Sequence, residues 1–136
     1  MKFLDTNIVI RFLVRDDDVK AGACLELLQR VERGEEEITT SESVIAEIVY
    51  VLSSPRLYAL SPEDIRARLV PILSLRGLRL PAKRLYVRAL DIYCEYSSLD
   101  FEDALSVAHL EREGITTMLS YDIGFDLVHG IIREEP

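Results

Sequence analysis

MKFLDTNIVIRFLV, residues 1–14, is the stretch that decides the fold. Residues 1–4 read as a short buried strand. It stops at Asp5-Thr6-Asn7, and an apolar helix follows to about Val14. A strand that runs straight into a helix opens an α/β unit, and the rest of the chain keeps the alternation. Helices are expected over 18–33, 43–53, 61–75, 82–96 and 100–113. The first of these carries Ala21, Leu25 and Leu28 on one face and stops at Gly34. Ser61-Pro62 is a well-formed helix start, with serine as N-cap and proline at the first helical position. Pro71 predicts a kink or break further along that helix. Gly114 stops the helix over 100–113. Strands are expected over 37–40, 115–119 and 130–133.

The chain of 136 residues is one domain by size, 1–136, and its 49% hydrophobic content supports a packed core. No apolar stretch approaches the ~20 residues of a membrane span. Asp5 and Arg11 fall where the apolar core of a signal peptide would run, so a cytoplasmic location is expected. Cys24 and Cys94 lie far apart with no C-x-x-C spacing, which points to free thiols and away from zinc.

The net charge of −8 counts against a general polyanion binder, but it is unevenly spread. Residues 65–90 hold seven basic side chains and no acid, leaving 9 basic and 24 acidic residues elsewhere. Such a local charge can steer a polyanion. Within it, Arg76, Arg79, Lys83, Arg84 and Arg88 form a candidate for positioning phosphates; a solvated helix face is the competing reading.

Open parallel sheets gather function at the carboxyl ends of their strands. Asp5 and Asp122 both fall there. Asp5 is flanked by Phe3, Leu4, Ile8, Val9 and Ile10; its ordinary roles would be a helix cap or a pair with Arg11. Glu47 has apolar neighbours at 44, 48 and 51, so a buried carboxylate in need of an arginine or a metal is expected. Asp100 and Asp103 open a helix as Asp-x-x-Asp, which suits an N-cap and its third residue. Asp122 and Asp126 suit turn chemistry. Taken together, acids without His or Cys companions suit a hard divalent cation, Mg²⁺ or Mn²⁺.

These stretches resemble the PIN-domain family, especially VapC-like toxins. The resemblance rests on MKFLDTNIVIRFLV, SVIAEIVYVL, LDFEDALSVAHLEREG and TTMLSYDIGFD, present in the family's order. It implies a three-layer α/β/α sandwich with a central, mostly parallel sheet of about 4–5 strands. It makes Asp5, Glu47, Asp103 and Asp122 the metal-binding catalytic acids, with Asp100, Asn7, Ser120 and Thr6 as auxiliary residues. It implies a metal-dependent ribonuclease that uses Mg²⁺ or Mn²⁺, acts as the toxin of a toxin–antitoxin pair, forms a homodimer and is covered by a cognate antitoxin. The alternative within the fold is a module that binds nucleic acid or a partner without cutting. A receiver-like pocket would need a late lysine, whereas lysine occurs only at 2, 20 and 83. A dehalogenase-type phosphatase would need an aspartate at position 7, which is Asn7. No P-loop motif is present.

Overall fold

A computed structural model describes residues 1–136. The chain divides into two compact units, Met1–Lys83 and Arg84–Pro136.

The first unit contains β1 (Lys2–Phe3), α1 (Thr6–Val14), α2 (Asp18–Glu32), β2 (Ile38–Thr39), α3 (Glu42–Ser53) and α4 (Pro62–Leu73). β1 and β2 pair in parallel, Lys2 opposite Ile38 and Phe3 opposite Thr39. The ladder continues past β1, where the Leu4 N–H donates to the Thr39 carbonyl at 2.8 Å. On its other edge, Ile38 bonds Gly77 and Arg79 through its own N–H and carbonyl, so Leu78 adds a parallel bridge. Gly77 is required there, because a Cβ would lie 2.3 Å from the Glu36 carbonyl oxygen and 2.7 Å from that of Val31. The core is built from Val9, Val31, Ile38, Ile45, Val49, Leu52, Ile65 and Leu69, all buried.

Side-chain caps fix most helix starts. Asp17, Ser41 and Ser61 each accept a hydrogen bond from a backbone N–H of the following first turn. α4 runs unbroken through Pro71. The proline sits in the last turn, so only Ile72 and Leu73 follow it before the Ser74 cap.

The second unit contains α5 (Lys83–Glu95, whose first residue closes the preceding unit), α6 (Phe101–Glu113), β3 (Thr117–Leu119), a 3₁₀ helix (Ile123–Leu127) and β4 (Ile132–Glu134). β3 and β4 pair in parallel, with Met118 opposite Arg133. Ala89, Leu90, Ile92, Ala104 and Val107 are buried, and Tyr93 meets Phe101 edge to face with centroids 5.9 Å apart. α6 ends where expected, at Gly114 in the left-handed region (φ 69°). Asp122, expected in a turn, caps the 3₁₀ helix, and Asp126 lies within it.

Candidate metal centre

The acids singled out by sequence divide between the two units. In the first, Asp5 follows β1 and occupies the N-cap position of α1 with extended backbone (φ −88°, ψ 158°), but its side chain makes no capping hydrogen bond. Arg11, the other partner considered for it, bonds Asp16 at 2.9 Å. Neither structural role is filled, and the Asp5 carboxylate is exposed at the strand end.

Glu47 corrects the expectation of a buried carboxylate. It is exposed on α3, while Val44, Ile45, Ile48, Val49 and Leu52 turn inward. Ser43, Glu47 and Tyr50 recur at helical spacing and are all exposed, so the helix does carry an outward stripe. Within the chain, the partner of Glu47 is not an arginine but Thr6, the one buried polar residue, whose Oγ1 donates to Glu47 Oε2 at 2.7 Å. A hydroxyl on the first residue of α1 therefore orients the acid of α3. Asn7 is exposed and lines a 420 Å³ cleft with Ile8, Arg11, Lys20, Ala23 and Cys24.

In the second unit Asp100 caps α6, its Oδ1 accepting the Asp103 N–H at 2.8 Å. The half-buried Asp103 follows one turn in. Partial burial and the neighbouring carboxylates of Asp100 and Asp122 raise its carboxyl from 3.8 to about 6. Asp122 is exposed but firmly held. Its N–H donates to Ser120 Oγ at 2.9 Å, and its Oδ1 accepts the Gly124 N–H at 2.8 Å. Three carboxylates thus act within one unit, and the two charged neighbours that shift Asp103 are both acids. The oxygen-only donors suit a hard divalent cation. They do not form a closed cage, since no three His, Cys, Asp or Glu side chains stand together as a ready metal-holding group.

The basic run straddles the boundary between the two units. Arg76, Arg79 and Lys83 belong to the first unit; Arg84 and Arg88 belong to the second. Arg79 donates to Glu37 at 2.8 and 3.0 Å. Lys83 Nζ donates to the Leu75 carbonyl, and burial, with Arg79 beside it, lowers its pKa. Arg76 packs beside Gly34. Arg88 forks onto Glu111 with two bonds of 2.8 Å. Arg84 and Arg88 line a 280 Å³ cleft with Arg112, which the sequence reading omitted. Sequence reasoning also missed Arg133, Ser98 and Gly124, whose bonds surround Asp122. An arginine in a strand beside a carboxyl-rich loop was the only signal available.

Residues 2–130 match the sequence model of the PIN domain. A VapC ribonuclease of Mycobacterium bovis and ribonuclease VapC13 of Mycobacterium tuberculosis are each 31% identical to the chain over 136 residues, covering 98% of both sequences. The α/β class and the parallel strand pairing agree with that match. No helix is long and apolar enough to cross a membrane.

Proposed function

The chain belongs to the PIN-domain family, and on that premise we propose that it is a VapC-like endoribonuclease, the toxin of a toxin–antitoxin pair. It hydrolyses RNA phosphodiester bonds at a site holding Mg²⁺ or Mn²⁺, with Asp5, Glu47, Asp103 and Asp122 as ligands. The observation that supports this most is Asp103, whose carboxyl is raised to about 6 by partial burial and by the acids Asp100 and Asp122 beside it. Like charges brought together without a basic partner are relieved by a cation.

When bound, the divalent ion neutralises charge on the phosphate and activates the attacking water. The chain's own part is placement. Without metal, the Asp103 carboxyl is half ionised near pH 6 and offers its full charge only well above it. Asp100 holds the α6 terminus, and so the Asp103 backbone, through its cap bond. Thr6 holds one oxygen of Glu47 and leaves Oε1 outside that bond. Ser120 and Gly124 fix the backbone and one oxygen of Asp122. Asp5, committed to no cap, is available as a ligand.

The relatives' names support an RNA substrate and a VapC role. A cognate antitoxin as inhibitor, a homodimer, a cytoplasmic location and a single domain across 1–136 complete the proposal. The toxin role is tested by inducing the chain alone in a bacterial host. Growth arrest by the wild type, absent with Asp5→Asn at equal expression and relieved by the adjacent reading frame, is the expected result. Equal arrest by Asp5→Asn contradicts it.

A further inference from the structure

We propose that Arg133 is a positioning residue for Asp122 and that it withdraws the nearby Asp126 from the acidic group. The inference rests on the reading of Asp122 as a metal ligand. Arg133 lies on β4 with its side chain only 14% exposed. All three of its guanidinium nitrogens are engaged. Nε and Nη2 fork onto the two oxygens of Asp126 at 2.8 and 3.4 Å. Nη1 donates to the Ser120 carbonyl at 2.9 Å and to Glu135 Oε1 at 2.8 Å. The neighbouring carboxylates hold its pKa above the ordinary arginine value.

The Ser120 contact reaches Asp122 through a short chain of bonds. Ser120 ends the β3 ladder, its N–H donating to the Glu134 carbonyl at 3.0 Å. With its carbonyl gripped by Arg133, the residue is held on both sides. Its Oγ then accepts the Asp122 N–H. Beyond Asp122, Gly124 donates to Oδ1, and the Gly124 carbonyl accepts from Ser98 Oγ at 2.8 Å. The corner is tight, because a Cβ on Gly124 would lie 2.7 Å from the Ser98 carbonyl oxygen. Asp122 therefore sits between two clamps, Arg133 with Ser120 before it and Ser98 with Gly124 after it.

Asp126 lies four residues beyond Asp122, within the 3₁₀ helix that Asp122 caps. Uncompensated, it would leave a second free carboxylate in the same short segment as Asp122. The arginine fork matches both carboxylate oxygens and neutralises them, a geometry that lysine cannot reproduce. The same side chain thus fixes which of the two loop acids faces the site as a free ligand.

The test is Mn²⁺ titration calorimetry on the full chain with Asp122→Asn, Arg133→Gln and the double variant, folding checked by circular dichroism. Residues that orient metal ligands typically change affinity by about 10–100-fold, so Arg133→Gln is expected to weaken Mn²⁺ binding about tenfold. If it acts through Asp122, the double variant binds no more weakly than Asp122→Asn alone. Additive losses mark Arg133 as merely structural and overturn the inference, as does wild-type affinity in Arg133→Gln. Unchanged affinity in Asp122→Asn instead rejects Asp122 as a ligand. Should Arg133→Gln fail to fold, Arg133→Lys, which keeps the charge and loses the fork, serves in the same cycle with the same criteria.

Discussion

Replacing Asp103 with asparagine removes a charge that the folded chain holds at a cost. Raising the carboxyl from 3.8 to about 6 corresponds to about 3 kcal/mol at neutral pH. Solvent screening of this partly exposed group reduces that to about 1–2 kcal/mol. Asparagine also forfeits the favourable charge at the start of α6, about 0.3–1 kcal/mol. The balance leaves Asp103→Asn more stable than wild type by roughly 1 kcal/mol in EDTA at pH 7.5, about 4 °C in melting temperature for a chain of this size. The sign follows from linkage. The folded carboxyl keeps its proton to a higher pH than the unfolded one, so its contribution to stability is complete below 3.8 and is lost as pH rises through about 6. The advantage of the variant should therefore shrink towards pH 4. Saturating Mg²⁺ should reverse the order, stabilising the wild type alone. Differential scanning calorimetry across pH, with and without metal, reads all three effects. A variant that is less stable than wild type in EDTA, by the same amount at pH 4 and pH 7.5, refutes the argument that acids crowd Asp103.

Other outcomes follow from single contacts. Thr6→Val keeps the side-chain shape and removes the bond to Glu47, so it should cost about 1 kcal/mol in urea unfolding and lower Mn²⁺ affinity, an effect absent in a Glu47→Gln background. Gly77→Ala pushes a methyl against two backbone carbonyls and should destabilise by roughly 3 kcal/mol or more; a change below 1 kcal/mol by calorimetry would contradict the strand geometry around Leu78. Arg88→Ala breaks an exposed pair with Glu111 and should shift stability by less than about 1 kcal/mol. Mn²⁺ affinity measured by titration should fall as pH drops below about 6, where Asp103 takes up its proton; affinity flat from pH 7.5 to 5 would argue against Asp103 as a ligand.

Much of this was legible in the sequence where local chemistry decides. Ser61-Pro62, Asp100 and Gly114 mark helix ends in single residues, and each end lies within a residue or two of its expected place. The strands were less legible. Each is two or three residues long, too short for alternation to be read. The bridge at Leu78 hides between Arg76 and Arg79, because its pairing depends on Gly77 fitting against Val31 and Glu36. Glu47 reads as buried because positions 44, 48 and 51 are apolar, yet Ser43 and Tyr50 face solvent with it and complete an exposed stripe. The carboxylates themselves were visible as acids in unusual positions. Their supports were not. Thr6 meets Glu47 across 41 residues, and Arg133 reaches Ser120 only because β3 and β4 pair. Such partners are products of tertiary closure, and no local pattern announces them.

The most direct test of the central claim is RNA cleavage by the purified chain. A pool of labelled structured RNAs would be incubated with wild type, Asp5→Asn and Asp103→Asn, each confirmed folded, in Mg²⁺, Mn²⁺ or EDTA. Defined cleavage products from wild type with metal, none in EDTA and none from either variant, are the expected result. Cleavage that persists in EDTA or in both variants would contradict it.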